Sequence, residues 1–204
     1  LNVLLRLKDH CDKGKMARTF SSEEEVNLIE SLFLLTGKPI LYVANVDEIE
    51  IANSKRNNYV SSLFDFAKNE NNIAIRLCGK IEQEIAVLNK KEKSLFLDEY
   101  NLQEPGLNKL IHAGFNLLDL ETYFTGGPKE VRAWTINKGS TEPQAAGEIH
   151  TDFERGFIKA EVIKYKDLIK YGSEKKVKDA GLSKLQGKEY IVEDGDCVYF
   201  HFNV

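Results

Sequence analysis

Cysteine is scarce in this 204-residue chain: three residues, at positions 11, 78 and 197, widely spaced and never in a C-x-x-C pair. That excludes a disulfide framework and a zinc knuckle, and a reducing cytoplasm is the simplest home. Long apolar runs are missing too. None approaches the roughly 18 residues that cross a bilayer, and the first residues lack the order of a signal peptide, so no membrane partner is expected. An excess of one charge is also absent: 28 basic against 32 acidic residues give −4. This balance excludes a protein coated in DNA-binding charge while leaving room for a local basic patch. The four histidines, His10, His112, His150 and His201, fall in different segments without ligand spacing, so no metal site is expected. Methionine occurs once, at Met16, and the first residue is Leu1. A piece of a longer protein is therefore expected.

What is present is ordinary globular material, 42% hydrophobic and 29% charged, enough for one to two domains at roughly 100 to 200 residues each. Leu1, Leu4, Leu5, Lys8 and Cys11 have helical spacing and no preceding cap, as if a helix were cut mid-element. Ser21-Ser22 followed by three glutamates suits a new helix carrying Val26, Ile29 and Leu32. Ile40 to Ala44 is apolar on both faces and reads as a central strand of a parallel sheet covered on both sides. A polar loop through Asn57 and Asn58, a helix with Val60, Leu63, Phe64 and Ala67, and the strand Ile73 to Leu77 complete a βαβ unit. Helices are expected over Ile81–Leu88, Lys90–Tyr100 and Leu107–Leu118.

Near Leu120 the character changes. Strands are expected at Glu121–Thr125 and Val131–Ile136, joined by the turn signal Gly126-Gly127-Pro128. Helical pieces follow at about Pro143–His150 and Tyr165–Ala180, with a strand at Phe157–Ile163 between them. The alternating end, Val198, Phe200, Phe202 and Val204, reads as a strand with one apolar face. The second region is thus a small α+β domain.

The sharpest chemical signal is Asn45-Val46-Asp47-Glu48, where a parallel strand should emerge at its carboxyl edge, the edge at which open α/β sheets bind ligands. An Asn amide can pair with the N6 amino group and N7 of adenine, and a carboxylate accepts from base amino groups. The alternative is a polar loop with Asn45 in an Asx turn.

The whole chain resembles the YchF, or Obg-like ATPase, family of P-loop proteins. The resemblance is carried by Lys38 to Glu48, Ile81 to Leu88, Thr122 to Thr135, Ile149 to Val162 and the ending His201-Phe202-Asn203-Val204. It implies the fold class: a partial α/β P-loop nucleotide-binding domain, a parallel sheet with helices, followed by an α+β domain of β-grasp (TGS) type. Residues 1–20 would end an inserted helical arm, 21–119 would be the second half of the nucleotide-binding domain, and 120–204 the TGS domain. The base site would comprise Asn45, Val46, Glu48, Cys78, Gly79 and Lys80. Related GTPases read guanine with N-K-x-D. Here Val46 and Glu48 stand at the Lys and Asp positions, which implies ATP in preference to GTP. Asn45 would contact the base edge, Val46 pack or bond through its backbone, and Glu48 shape the pocket. Cys78-Gly79-Lys80 departs from the Ser-Ala-Lys-like loop expected there: Cys78 reads equally as a small buried residue, and Lys80 as a helix start.

No G-x-x-x-x-G-K-[ST] occurs. Gly14-Lys15, Gly37-Lys38, Gly79-Lys80 and Gly187-Lys188 are followed by Met16, Pro39, Ile81 and Glu189. The backbone cradle for phosphates is missing, so the chain alone is expected to bind nucleotide weakly and not to hydrolyse it, with Mg2+ serving the complete protein without ligands here. Glu82 and Glu84 read as solvated surface, and Thr151 or Asp152 as the cap of the turn after His150. From Lys159 to Lys188, nine lysines face four acids, an excess of +5. Lys175, Lys176 and Lys178, with Tyr165 and Tyr171 nearby, could contact RNA, or the segment could be a solvated helix face. The resemblance implies a ribosome or ribosomal RNA as partner and leaves the oligomeric state open. Two function classes remain: part of a ribosome-associated nucleotide hydrolase acting as a translation or stress regulator, or a non-enzymatic TGS-type binding module.

Overall fold

The computed structural model describes residues 2–20, 23–53, 55–127 and 130–203. The expected cap at Ser21-Ser22, Pro128 of the turn, and Val204 lie outside them. The chain folds as two compact units, one ending at Leu117 and one spanning Leu118–Val204.

The first unit opens with α1 (Asn2–Asp12) and α2 (Glu23–Glu30), where Leu7, Ala17 and Ile29 form a small core with Phe20 and Leu34. Strand β1 (Leu41–Asn45) leads through α3 (Glu48–Ala52) and α4 (Asn58–Asn69) to β2 (Ile73–Leu77). The strands pair in parallel, with Leu41 opposite Ile73 and Asn45 opposite Leu77. The parallel expectation for β1 holds, but its burial is less than expected: Ala44 is buried, whereas Val43 is 41% exposed, because only two strands form this sheet among the described residues. The loop expected before Asn57 contains α3, capped by Asp47, whose Oδ1 accepts from Glu50 N at 2.7 Å. Asn57 caps α4 by accepting from Val60 N at 2.9 Å. Glu70, after α4, gathers Arg18 Nη2 at 3.1 Å, the Tyr42 hydroxyl at 2.8 Å and Asn72 Nδ2 at 3.1 Å. These donors, the Tyr42 hydroxyl foremost, hold its carboxyl below the usual range.

Three helices follow: α5 (Gly79–Val87), α6 (Lys90–Glu99) and α7 (Gly106–Leu117). Ile51, Cys78, Ile81 and Ile85 form the second core, against Phe96, Leu97 and Tyr100. Glu82 is not the solvated residue expected. Its two carboxylate oxygens accept from Gly106 N at 2.7 Å and Leu107 N at 3.0 Å, capping α7 from a different helix. Position 106 must be glycine for this contact, since a Cβ there would lie 2.8 Å from Leu77 Cβ and 2.9 Å from Glu82 Oε1.

In the second unit, β3 (Leu120–Gly126) and β4 (Val131–Asn137) form the expected hairpin, and Gly127 N bonds Glu130 O across the turn at 2.9 Å. After α8 (Glu142–Ile149) and α9 (Thr151–Arg155) come β5 (Phe157–Lys164), α10 (Tyr165–Tyr171), α11 (Glu174–Asp179), β6 (Lys184–Gln186) and β7 (Asp196–Phe202). The sheet order is β4-β3-β7-β5-β6, with β3 and β7 parallel and the other pairs antiparallel. The single helical piece expected over Tyr165–Ala180 is two helices, because Gly172 takes φ 75° and closes α10 while Ser173 caps α11. His150, not Thr151 or Asp152, caps α9: its Nδ1 accepts from Asp152 N at 3.2 Å.

One sheet face is the core, Tyr123, Ile136, Ala160, Val162, Val198 and Phe200 against Ala145 and Ala146 of α8. At its margin sits a buried polar group. Asp196, fully buried, lies 2.7 Å from Lys164 Nζ and accepts from Tyr190 Oη at 2.9 Å and Glu193 N at 3.0 Å. Burial alone would lower the Lys164 ammonium, but its bonds to Asp196, Tyr190 and Glu193 raise it. Glu142 is also fully buried, with neither carboxyl oxygen hydrogen-bonded. Burial, reinforced by the charge of Asp196, pushes its pKa up to about 7.

Candidate nucleotide site and lysine surface

The carboxyl edge of the β1–β2 pair gathers most of the expected base-site residues. Asn45 is the last residue of β1, and its Oδ1 accepts from Gly79 N, the first residue of α5, at 2.9 Å. A backbone N–H can only donate, so this bond fixes which way the amide faces and turns Nδ2 into the available donor. Nδ2 suits a ring acceptor such as purine N7, and Oδ1 keeps a second lone pair.

Val46 N bonds Leu77 O at 2.9 Å, continuing the ladder one residue beyond β1. Its side chain rests on the second core, so what it can offer a base is its carbonyl. Glu48 opens α3 and forms an ion pair with Lys80 of α5. The hydrogen bond from Lys80 holds the Glu48 carboxyl below its usual range and, reciprocally, raises the Lys80 ammonium. Cys78 is 2% exposed and belongs to the core, and its carbonyl accepts from Glu82 N in α5 at 3.0 Å.

A cleft of about 360 Å³ opens beside this edge, lined by Asn45, Val46, Asp47, Glu50, Asn57 and Tyr59 among others. Glu48, Cys78, Gly79 and Lys80 do not line it; they flank the edge from the α5 side. Tyr59, 88% exposed, has the ring a purine could lie against. Sequence reasoning passed over it because it falls in the first turn of α4, outside any spaced motif.

In the second unit, Lys175, Lys176 and Lys178 all lie on α11. Lys175 and Lys176 are exposed. Lys178 is committed: its Nζ meets Glu161 Oε2 at 2.9 Å, while Oε1 of Glu161 accepts from Ser183 Oγ at 2.6 Å. Lys164, another member of the +5 count, is tied to Asp196 and Glu193. The charge excess therefore overstates the cation available to a partner. Among the described residues no group of three or more His, Cys, Asp or Glu could hold a metal ion, and no helix is long and apolar enough to cross a membrane.

A βαβ unit with a polar cleft at the carboxyl edge of its parallel strands is the ligand-binding arrangement of open α/β proteins. Residues 120–203 match the family model YchF-GTPase_C, described as a protein of unknown function (DUF933). The chain is 50% identical over 203 residues to the ribosome-binding ATPase YchF of Bacillus subtilis, covering 99% of this chain and 56% of that protein. It is 46% identical over 205 residues to its counterpart in Haemophilus influenzae, with coverage of 100% and 56%. The solved structure of the Schizosaccharomyces pombe YchF GTPase superposes with a TM-score of 0.82 at 33% identity, covering 98% of this chain and 53% of that one. Over its full length the chain is similar to YchF proteins, and residues 120–203 carry the match to the YchF-GTPase_C model. It spans about half the length of the curated relatives it matches.

Proposed function

We propose that this chain is the C-terminal portion of a ribosome-associated, ATP-preferring P-loop nucleotide hydrolase that acts as a nucleotide-dependent regulator of translation or stress responses. Its relatives are named ribosome-binding ATPases, and the observation that carries the reading is the Asn45–Gly79 bond beside the cleft. Asn45 Nδ2 would donate to purine N7, the Val46 carbonyl would accept from the adenine N6 amino group, and Tyr59 would back the ring. Both purines have N7, so Asn45 fixes the base without choosing it. The choice falls to the acceptors: Val46 suits the adenine amino group, and Glu48, held by Lys80, is withheld from the N1–H and N2 donors of guanine. Cys78, Gly79 and Lys80 would close the α5 side of the base.

On this reading residues 1–20 end a helical arm, 21–119 supply the second half of the nucleotide domain, and 120–204 form a TGS domain of β-grasp type. In the complete protein the ligands for Mg2+ would come from outside this chain. Nucleotide titration of the full-length protein tests the reading. Tight ATP binding and weaker GTP binding support it, and tight GTP with negligible ATP overturns it. The 204-residue chain alone should show no ATP turnover; robust turnover would contradict the division of labour.

The second reading is a non-enzymatic binding module. It draws on the second unit having a core of its own. Ribosome association unaffected by nucleotide or by Asn45→Ala would favour it.

A further inference from the structure

In the second unit β7 outruns its neighbour. On the β3 side its register covers only Cys197 and Val198, opposite Phe124 and Thr125, because β3 turns into its hairpin at Gly126-Gly127. Among the described residues no strand takes the place of β3 beside Tyr199 to Phe202. The backbone there faces the gap. Gly195 O accepts from Tyr165 N at 3.0 Å, so antiparallel alternation bonds Cys197 and Tyr199 to β5 and turns the N–H and C=O of Phe200 away from it. A cavity lies on each face of this gap, and both are lined by Gly126, Gly127, Val198 and Tyr199. On the core face, about 440 Å³ is bounded by Trp134, Ile149, Phe153 and Phe202. On the opposite face, about 430 Å³ reaches Glu174 and the Glu161–Lys178 pair. Glu161 is already committed to Lys178 and Ser183. Glu130 lines the first cavity and Glu174 the second, and neither has a cationic partner among the described residues. The lining therefore carries an uncompensated negative charge.

We infer that this gap binds an extended peptide of a partner protein, alternating apolar and basic residues, which adds a strand to β7. The outward N–H and C=O of Phe200 call for main-chain groups, and strand addition supplies them in the right spacing. Successive side chains of that strand point to opposite faces. One set would enter the apolar cavity against Trp134 and Phe153, and the alternate set would meet Glu174. A wholly apolar peptide would strip water from that carboxylate without giving it a partner. Lysine or arginine replaces the lost water with a charge-assisted bond, whereas a polyanion would meet like charge on both faces. The inference stands on the second unit by itself and is independent of the nucleotide site.

Anisotropy titration of the full-length protein with labelled seven-residue peptides tests this. One alternates valine and lysine, a second alternates valine and glutamate, and a third is the valine–lysine peptide with its amides N-methylated. The valine–lysine peptide should bind about tenfold or more tightly than either of the others. Glu174→Lys should weaken it about tenfold and strengthen the valine–glutamate peptide, with ATP affinity unchanged. Equal binding of the two charged peptides, binding undiminished by N-methylation, or unchanged affinities in folded Glu174→Lys would overturn the inference. So would absence of valine–lysine binding at about 1 mM, or a full-length dimer that Glu174→Lys dissociates, which would seat a second copy in the gap. Each of these outcomes leaves the nucleotide reading standing, since ATP titration of the same sample decides that separately.

Discussion

Asn45 Oδ1 accepts the Gly79 N–H at 2.9 Å, so the last residue of one strand holds the first turn of the helix that follows the next strand. A single amide thus orders the edge structurally and, by the same bond, presents its Nδ2 donors. Asn45→Ala should remove both roles. Affinity of the full-length protein for ATP and GTP should fall by a similar factor, about tenfold for one lost hydrogen bond with some disorder of the edge. Loss confined to one nucleotide, measured by titration with each, would show that Asn45 reads something other than N7.

Lys80 and Glu48 form a pair at the surface, with the Lys80 side chain 65% exposed. Lys80→Met should leave the melting temperature unchanged, since exposed pairs contribute little. Its effect should appear in nucleotide choice: with the carboxylate released, GTP should gain on ATP. An unchanged ratio of the two affinities would assign the selectivity to Val46 alone.

Glu82 should matter to stability more than its polar character suggests. Glu82→Ala removes the acceptor for two N–H groups at the start of α7 and should cost about 1 to 2 kcal/mol in denaturant unfolding of the first unit. Glu82→Gln, which keeps one acceptor oxygen, should cost less. Gly106→Ala should also destabilise, because its Cβ would collide with Leu77.

Glu142 gives the second unit a pH dependence of definite sign. Its folded pKa of about 7 lies above the ordinary value of 4.5, so the folded state holds a proton that the unfolded chain has released. The stability it permits is fully present below pH 4.5 and is lost as pH rises through 7, a fall of about 3 kcal/mol. Glu142→Gln, uncharged at every pH, should abolish that slope in unfolding of the second unit between pH 4.5 and 8. A slope that persists in the variant would assign it to another group.

The lysines of α11 should separate by role. Neutralising Lys175 and Lys176 should lower the salt dependence of RNA binding, by about 0.7 in log–log slope for each single-strand phosphate they no longer neutralise. Lys178→Gln should change that slope less and stability more, because Lys178 already neutralises Glu161. Binding indifferent to salt would remove α11 from the interface.

The strands were legible because they carry strong local signals. Ile73 to Leu77 and the alternating end of the chain match β2 and β7 closely, and the parallel pairing of β1 with β2 followed from their apolar character. What sequence could not show is long-range. Glu82 caps a helix that begins 24 residues later, and nothing in its i, i+2 spacing from Glu84 reveals that. Lys164 and Lys178 counted as free charge until Asp196 and Glu161 claimed them. Gly172, inside the stretch expected as one helical piece, divides it because its φ is positive. At the base edge the residue identities were readable, but the direction of the Asn45 amide depended on a backbone N–H from another element.

The most direct test is competitive titration of the full-length protein with ATP and GTP, run in parallel on wild type and Asn45→Ala. ATP should bind more tightly than GTP to wild type, and both should weaken in the variant. Tight GTP binding with negligible ATP binding, or affinities untouched by Asn45→Ala, would contradict a purine site at the Asn45–Gly79 edge that prefers ATP.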